Sequence, residues 1–198
     1  MHGMRDLIDA GKVREVGVSN FPLGLWQTAD RHLGRAVVSN QAQFSLLDMT
    51  PLDDLVPFAK ENDRVIIAYS PLAQGVLGGR YHSGATPTDF RASNPLFSAK
   101  GIDATTLLVE DLGEIARKHE ATPSQIALAW LLHIPNVVAI PGARTVEQVE
   151  ENAGAAEIEL SEDEWQRLKS RAASIRPPRQ RRKRVRIASL ILGARFGR

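Results

Sequence analysis

Four short runs of mainly apolar, β-branched residues recur along the chain and alternate with longer stretches. The runs are VREVGVS (13–19), AVVSNQ (36–41), RVIIAY (64–69) and NVVAI (136–140). Their length, their composition and the Gly, Asn and Pro residues that border them predict strands. Near-continuous apolar strands are typical of a parallel sheet covered on both faces, and we expect that arrangement here.

The stretches between the strands carry clear helix-start signals. A hydroxyl residue stands where it can cap a helix at Thr50, Thr122 and Ser161. A Gln or Glu follows three residues later, the spacing of a capping box, after Thr122, Thr145 and Ser161. Residues 22–33 and 126–132 are predicted helices, whereas residues 73–102, with five glycines, are predicted to form a long loop. Strands that alternate with helices place the chain in the α/β class.

Polar side chains gather where each predicted strand ends. They are Ser19 and Asn20 after the first, Gln41 at the second, Tyr69 and Ser70 at the third, and Gly142, Arg144 and Thr145 after the fourth. The carboxyl ends of parallel strands meet at one edge of the sheet, where α/β proteins bind ligands. Each residue taken alone can equally be a turn former, and only the recurrence at four strand ends favours a binding site.

The segment IPGART (140–145) has the most specific chemistry of these strand ends. A helix that starts after Thr145 directs backbone N–H groups and the positive end of its dipole toward the preceding turn. Arg144 adds a guanidinium that can bind a phosphate with two hydrogen bonds. We therefore predict an anion site, with a solvated Arg144 and a plain turn at Gly142 as the alternative.

Other polar residues suit a flat heterocycle with an amide substituent. The Tyr69 ring can stack on such a heterocycle, and Asn20 and Gln41 can pair with its amide. Glu151 and Asn152, on the last but one predicted helix, can hydrogen-bond the edge of a base. Packing within the protein is the alternative for a tyrosine at a strand end.

Composition narrows the possible function classes. The chain has 198 residues, of which 43% are hydrophobic and 24% charged, as in ordinary globular proteins. It contains no cysteine, which excludes disulfides and cysteine metal sites and is compatible with the cytoplasm. Its five histidines, His82 among them, lack metal-ligand spacing. The longest apolar run has seven residues, so we expect neither a membrane span nor a secretion signal.

The basic residues are unevenly distributed. Residues 176–198 contain nine Lys and Arg and no acid, whereas the remainder holds 16 basic and 23 acidic residues. We expect this segment to be a disordered basic tail, separate from a folded unit at 1–175. Binding of nucleic acid through the tail is an alternative that the lack of aromatic residues within its basic run does not favour.

Five segments together resemble the aldo-keto reductase family in order and spacing. They are GKVREVGVSNF (11–21), NQAQFSLLD (40–48), VIIAYSPLAQGVLGGRY (65–81), TPSQIALAWLL (122–132) and IPGARTVEQVEENAGAAEIELSEDE (140–164). The resemblance covers roughly residues 5–173. It implies a partial TIM (β/α)8 barrel of about four βα units, which correspond to the fifth to eighth strands of that barrel.

The resemblance also implies an NADP(H) site. Residues similar to those that hold the nicotinamide carboxamide are Ser19, Asn20 and Gln41, and the ring similar to the one that stacks on the nicotinamide is Tyr69. The loop over the pyrophosphate corresponds to Ser70, Leu72 and Gln74. Positions that match the site of the adenosine 2′-phosphate are Gly142, Arg144 and Thr145, and those around the adenine are Gln148, Glu151 and Asn152.

The family's catalytic tetrad, an Asp, a Tyr, a Lys and a His, has no match in this chain, because the family carries it on earlier strands. We therefore expect the NADP(H)-binding half of an oxidoreductase that reduces small-molecule aldehydes or ketones to alcohols. This chain alone is expected to show little or no catalysis, since no proton donor of the tetrad is present. A non-catalytic NADP-binding or regulatory partner subunit is the alternative.

Four βα units would leave two sheet edges and an apolar interior uncovered, since a complete barrel has eight strands. We expect the chain to be a truncated or mispredicted product of a longer gene. Association with a second half barrel and a marginally stable fold are the alternatives.

Overall fold

A four-stranded parallel sheet lies at the centre of the computed structural model, which describes residues 1–81 and 87–175. The strands are β1 (Gly17–Ser19), β2 (Ser39–Gln43), β3 (Val65–Tyr69) and β4 (Val137–Ile140). Their order in the sheet is their order in the chain, and every neighbouring pair is parallel. This arrangement confirms the α/β class. The predicted tail at 176–198 and His82 lie outside the described residues.

Seven α-helices connect and flank these strands in the described ranges. They are α1 (His2–Asp9), α2 (Leu23–Leu33), α3 (Leu55–Glu61), α4 (Ala99–Lys118), α5 (Pro123–Leu132), α6 (Val146–Gly154) and α7 (Glu162–Ser174). Short 3-10 turns occupy Thr50–Leu52, Ala73–Gly78, Phe90–Ser93, Pro95–Phe97 and Ala155–Glu157. Within the described part of the chain, we find no helix with the length and apolar character that a membrane crossing requires.

The predicted helix starts at Thr122 and Ser161 are confirmed, each with a complete capping box. The prediction for Thr50 is wrong, because its hydroxyl donates to Asp48 Oδ1 at 2.8 Å and Thr50 begins a 3-10 turn instead. The box at Thr145 is only half formed. The Thr145 hydroxyl accepts from the Gln148 N–H at 3.3 Å, but the Gln148 side chain accepts from the Arg144 N–H instead.

The region predicted as a loop at 73–102 ends earlier than expected, since α4 begins at Ala99. Ser98 caps this helix by accepting from the Gly101 N–H at 3.1 Å. A Cβ at Gly101 would lie 2.4 Å from the Pro95 carbonyl oxygen. Gly101 therefore permits close packing of α4 against the preceding turn. Counting this glycine as a sign of a loop made the predicted loop too long.

The sheet is covered on one face only, so the prediction of a sheet buried on both faces is wrong for the described residues. Alternate residues of β2 and β3, among them Asn40 and Ile66, are buried against the helices. The intervening residues point to the other face, which we call the open face. There Val138 and Ile140 of β4 are 44% and 45% exposed. A strand whose residues are apolar on both faces is therefore not always buried on both faces within the described part of this chain.

The core joins α5 to α7 through two tryptophans. The Trp130 indole N–H donates to the Trp165 carbonyl at 3.2 Å, and the Trp165 indole N–H donates to the Trp130 carbonyl at 3.0 Å. Their rings are stacked with centroids 5.4 Å apart. Both polar atoms of these buried rings are thus satisfied, which makes the apolar α5 compatible with deep burial, as predicted.

A buried acid links α4 to α7. Asp111 accepts hydrogen bonds from Arg167 and from Arg171, whose Nε lies 2.6 Å from Asp111 Oδ2. Burial alone would raise the pKa of Asp111, but the hydrogen bonds from Arg171 and Arg167 outweigh it and hold the pKa below its ordinary value of 3.8. The ion pairs therefore stabilise the fold only while Asp111 is ionised.

We expect Asp111→Asn to lower the free energy of unfolding at neutral pH by about 1–2 kcal/mol, because both arginines are partly exposed and their contribution is screened. This stabilisation is fully present above the ordinary Asp pKa of 3.8 and is lost as the pH falls through the lower folded-state value. Urea titrations of both proteins at several pH values measure the difference. The control is Glu114→Gln, which removes the half-exposed partner of Arg167 and should change stability by less than about 0.5 kcal/mol. An equal effect of the two variants would contradict the role assigned to Asp111.

Candidate functional site

A cleft of about 970 Å³ opens at the carboxyl ends of β3 and β4. Its walls are the turn after β3, the loop from β4 to α6, and α6 itself. Eight of the residues predicted from the sequence line this cleft: Ser70, Leu72, Gln74, Gly142, Arg144, Gln148, Glu151 and Asn152. The tertiary structure thus brings together residues that are more than 80 positions apart in the chain.

The remaining predicted residues, apart from Thr145, form a hydrogen-bonded cluster at the ends of β1, β2 and β3. The Ser19 hydroxyl donates to the Gln41 carbonyl at 3.2 Å, and the Asn20 Nδ2 donates to Ser19 Oγ at 3.0 Å. The Tyr69 hydroxyl donates to Asn20 Oδ1 at 3.0 Å. We call Ser19, Asn20, Gln41 and Tyr69 the strand-end cluster. Because Tyr69 precedes Ser70, the cluster adjoins the cleft.

A buried asparagine that the sequence analysis missed holds this cluster in place. Asn40, fully buried on β2, donates from Nδ2 to the Phe21 carbonyl at 2.8 Å and accepts from the Phe21 N–H at 3.4 Å. The backbone after β1 can therefore turn with Asn20 at φ 58°, a left-handed conformation that asparagine tolerates. No break in an apolar pattern marked Asn40, because its neighbours on β2, Ser39 and Gln41, are polar as well.

The start of α6 is less open to an anion than the sequence suggested. The Arg144 N–H donates to Gln148 Oε1 at 2.8 Å, and Thr145 caps the helix without lining the cleft. The Glu147 carboxyl accepts hydrogen bonds from its own backbone N–H and from the Thr145 hydroxyl, and these hold the pKa of Glu147 below its usual range. Backbone donors at this helix start are thus engaged by the protein's own side chains, and the attraction for an anion depends mainly on Arg144 and the helix dipole.

Gly142 is not required by the local backbone. Its φ is not positive, and a Cβ built on it has no protein atom within 4 Å. The turn at this position would therefore accept alanine, and the open space beside Gly142 faces the cleft.

Two further arginines line the cleft, Arg80 and Arg91, and neither was singled out in the sequence. Arg91 donates to both carboxylate oxygens of Asp89 at 2.8–3.1 Å and lies over the Tyr81 ring, 5.6 Å from its centroid. Hydrogen bonds from Arg91 hold the pKa of Asp89 below its usual range, and the charge of Arg144 adds to this effect. Both arginines lie in the glycine-rich region that the sequence predicted as a loop, but no motif indicated that they would line a cleft.

Arg91 and Asn94 also position the turn that follows β3. Asn94 Nδ2 donates to Gln74 Oε1 at 3.0 Å, and an Arg91 guanidinium N–H donates to the Gln74 carbonyl at 3.3 Å. On the opposite wall, the Thr122 hydroxyl donates to Glu151 Oε1 at 2.7 Å, so that one oxygen of Glu151 is already engaged. The cleft therefore combines three guanidinium groups with side chains whose directions are set by the protein. Among the described residues, no cluster of three or more His, Asp or Glu could hold a metal ion.

Comparisons with known proteins agree on one family. The model of the aldo/keto reductase family matches residues 1–173. An uncharacterized oxidoreductase of Mycobacterium tuberculosis is 51% identical over 177 residues, which cover 89% of this chain and 55% of the relative.

Two solved structures are similar in fold as well. A crystal structure of a thermostable aldo-keto reductase, determined with the inhibitor epalrestat, has a TM-score of 0.68 at 36% identity and covers 86% of this chain and 53% of its own. The glycerol dehydrogenase of Gluconobacter oxydans has a TM-score of 0.79 at 25% identity, with coverages of 89% and 54%. The chain thus spans about half the length of the proteins it matches.

Proposed function

The chain belongs to the aldo/keto reductase family, and from that premise we propose that it forms the NADP(H)-binding half of a cytoplasmic oxidoreductase that reduces aldehydes or ketones to alcohols. In this proposal the sheet is half of an eight-stranded barrel, and its strands are the fifth to eighth. The observation that carries the proposal is the cleft with its three arginines beside the strand-end cluster.

Charge and position both suit a phosphorylated dinucleotide. Arg80, Arg91 and Arg144 surround the cleft and provide the positive charge that a pyrophosphate and a 2′-phosphate require. Gln148 and Asn152 on α6 line the same cleft as Arg144, and their amide groups could recognise an adenine edge there.

The other end of the site suits a nicotinamide. Tyr69 offers a ring next to the cleft, and the strand-end cluster surrounds it with amide and hydroxyl groups. Within residues 1–81 and 87–175, the Gln41 side chain has no hydrogen-bond partner, so its amide is available to a ligand. The space beside Gly142 leaves room for close approach of a phosphate to the backbone.

Bound NADPH would supply a hydride to the carbonyl carbon, and reduction to the alcohol also needs a proton. Neither tyrosine of the chain is placed to give that proton. Tyr69 donates its hydroxyl hydrogen to Asn20, and the Tyr81 ring packs edge-on to Phe97 and beneath Arg91. We therefore propose that this chain binds the cofactor and depends on residues outside it for catalysis.

A regulatory or partner subunit that binds NADP(H) without turnover is the second candidate. The same observation favours it, since the cleft and the strand-end cluster suit a phosphorylated dinucleotide while the Tyr69 hydroxyl is already engaged by Asn20. Isolation of the full protein in a larger complex that responds to NADP(H) would distinguish the two candidates.

We expect the chain to bind NADPH in preference to NADH, because in this proposal Arg144 pairs with the additional phosphate. Arg144→Ala should weaken NADPH about tenfold or more and leave NADH within about twofold, since only one of the two ligands carries the 2′-phosphate. Calorimetric titration of both nucleotides measures this. The matched control is Arg35→Ala, which removes a surface arginine paired with Glu15. Failure of both nucleotides to bind would overturn the proposed function.

The chain alone is expected to be catalytically silent. With NADPH and a small aldehyde, the loss of NADPH absorbance should remain far below the turnover of ordinary enzymes, about 1–10³ per second. Addition of the aldehyde without the chain provides the background rate. Turnover within the ordinary range would show that a proton donor is present and would contradict this part of the proposal.

As the alternative to a barrel completed within one longer protein, we propose that a second copy of the chain covers the open face and completes a closed barrel. The outer edges of β1 and β4 have no strand partner in the described ranges, and β4 exposes apolar side chains.

Light scattering after size exclusion should show a dimer that Val138→Lys dissociates, because a charge then lies on the open face. Leu107→Lys, which alters an even more exposed leucine on α4, should keep the dimer. A monomeric wild-type chain would contradict self-association.

A further inference from the structure

We propose that the Tyr69 hydroxyl is a positioning group that fixes the direction of the Asn20 side-chain amide, so that the strand-end cluster selects a carboxamide over a carboxylate on the pyridine ring of the ligand. This inference rests on the proposed NADP(H) site and assigns a role to an atom that stacking of the Tyr69 ring does not need.

The direction of the hydrogen bonds follows from one backbone group. A carbonyl oxygen can only accept, so the Ser19 hydroxyl must donate to the Gln41 carbonyl at 3.2 Å. The hydrogen of Ser19 is thereby committed, and Ser19 Oγ can only accept from the Asn20 side chain at 3.0 Å. The Asn20 NH2 group must therefore point toward Ser19, and Oδ1 must point toward Tyr69.

The direction of the hydrogen bond between Tyr69 and Asn20 is fixed in the same way. Asn20 Oδ1 can only accept, so the Tyr69 hydroxyl donates to it at 3.0 Å. The same Gln41 carbonyl also accepts from the Asn20 backbone N–H at 2.8 Å. Asn20 is exposed and held at φ 58°, and hydrogen bonds at both ends keep its amide from rotating. Without the Tyr69 hydroxyl, only the contact with Ser19 would remain.

The groups left for a ligand are now defined. Asn20 retains one free N–H donor, and the Tyr69 oxygen, having donated its hydrogen, retains only acceptor lone pairs. A carboxamide has a carbonyl for the donor and an NH2 group for the acceptor. A carboxylate has no hydrogen to offer, and it would place lone pairs against the Tyr69 oxygen, which is unfavourable. The cluster is thus complementary to the amide.

The test compares three nucleotides by calorimetry on the full chain. They are NADP+, its nicotinic acid analogue, and 2′-phospho-ADP-ribose, which lacks the pyridine ring. Tyr69→Phe keeps the ring and removes the hydroxyl. We expect this variant to weaken NADP+ about three- to tenfold, to reduce the ratio of NADP+ to nicotinic acid analogue affinities by a similar factor, and to leave 2′-phospho-ADP-ribose unchanged.

Two further variants separate positioning from a general structural effect. Ser19→Ala removes the other end of the chain of hydrogen bonds, and its effect on the ratio should be non-additive with that of Tyr69→Phe. Tyr81→Phe removes the chain's other phenol, which lines the cleft under Arg91 and is not hydrogen-bonded to Asn20. An effect of this variant through Arg91 applies equally to the three nucleotides, so the ratio should stay unchanged.

Equal weakening of NADP+ and 2′-phospho-ADP-ribose by Tyr69→Phe, or an unchanged ratio, would overturn this inference while the proposed function stands. Absence of binding by all three nucleotides to the wild-type chain would overturn both.

Discussion

The parallel, in-register pairing of the four strands is the constraint on which the site depends. Ser19 pairs with Gln41, Gln41 with Ile67, and Ile67 with Val138. Strands β2, β3 and β4 end at one level of the sheet, two residues beyond the end of β1. Side chains in one such row point to the same face. The hydrogen bonds among Ser19, Asn20, Gln41 and Tyr69 are possible only in this register, because a shift of one residue would turn each side chain to the opposite face.

One cation of the site is paired with an acid of the protein itself. Asp89 holds Arg91, and it also lies close enough to Arg144 for that charge to lower its pKa. Gln148 accepts from the N–H of Arg144. An anionic ligand would therefore exchange these internal partners for its own, and its affinity would reflect the difference between the two sets of hydrogen bonds. Arg91 is therefore held in place by a carboxylate, whereas the described residues provide no ion pair for the guanidinium groups of Arg80 and Arg144.

The helical side of the sheet is where stability is concentrated. Trp130 and Trp165 satisfy each other's indole N–H groups, and Asp111 joins α4 to α7 through two arginines. The open face has no such cover in the described ranges, and its β4 valine and isoleucine are nearly half exposed. The candidate site therefore lies at one edge of a sheet that has one covered and one open face, in a chain that spans about half the length of its relatives.

The sequence by itself determined most of the local elements, and it identified part of the lining of the cleft. Two capping boxes, the apolar α5 and strands β3 and β4 followed from residue type and spacing, since those signals act within a few residues. Strand β1 was predicted too long and β2 too early, because β-branched residues continue into the connections. The family resemblance then assigned roles to thirteen candidate residues, eight of which line the cleft. Only the tertiary structure decided that Asn40 anchors the turn after β1, that Arg80 and Arg91 join the cleft, and that one face of the sheet stays open. Each of these depends on contacts between segments distant in the chain, and neither periodicity nor spacing contains that information.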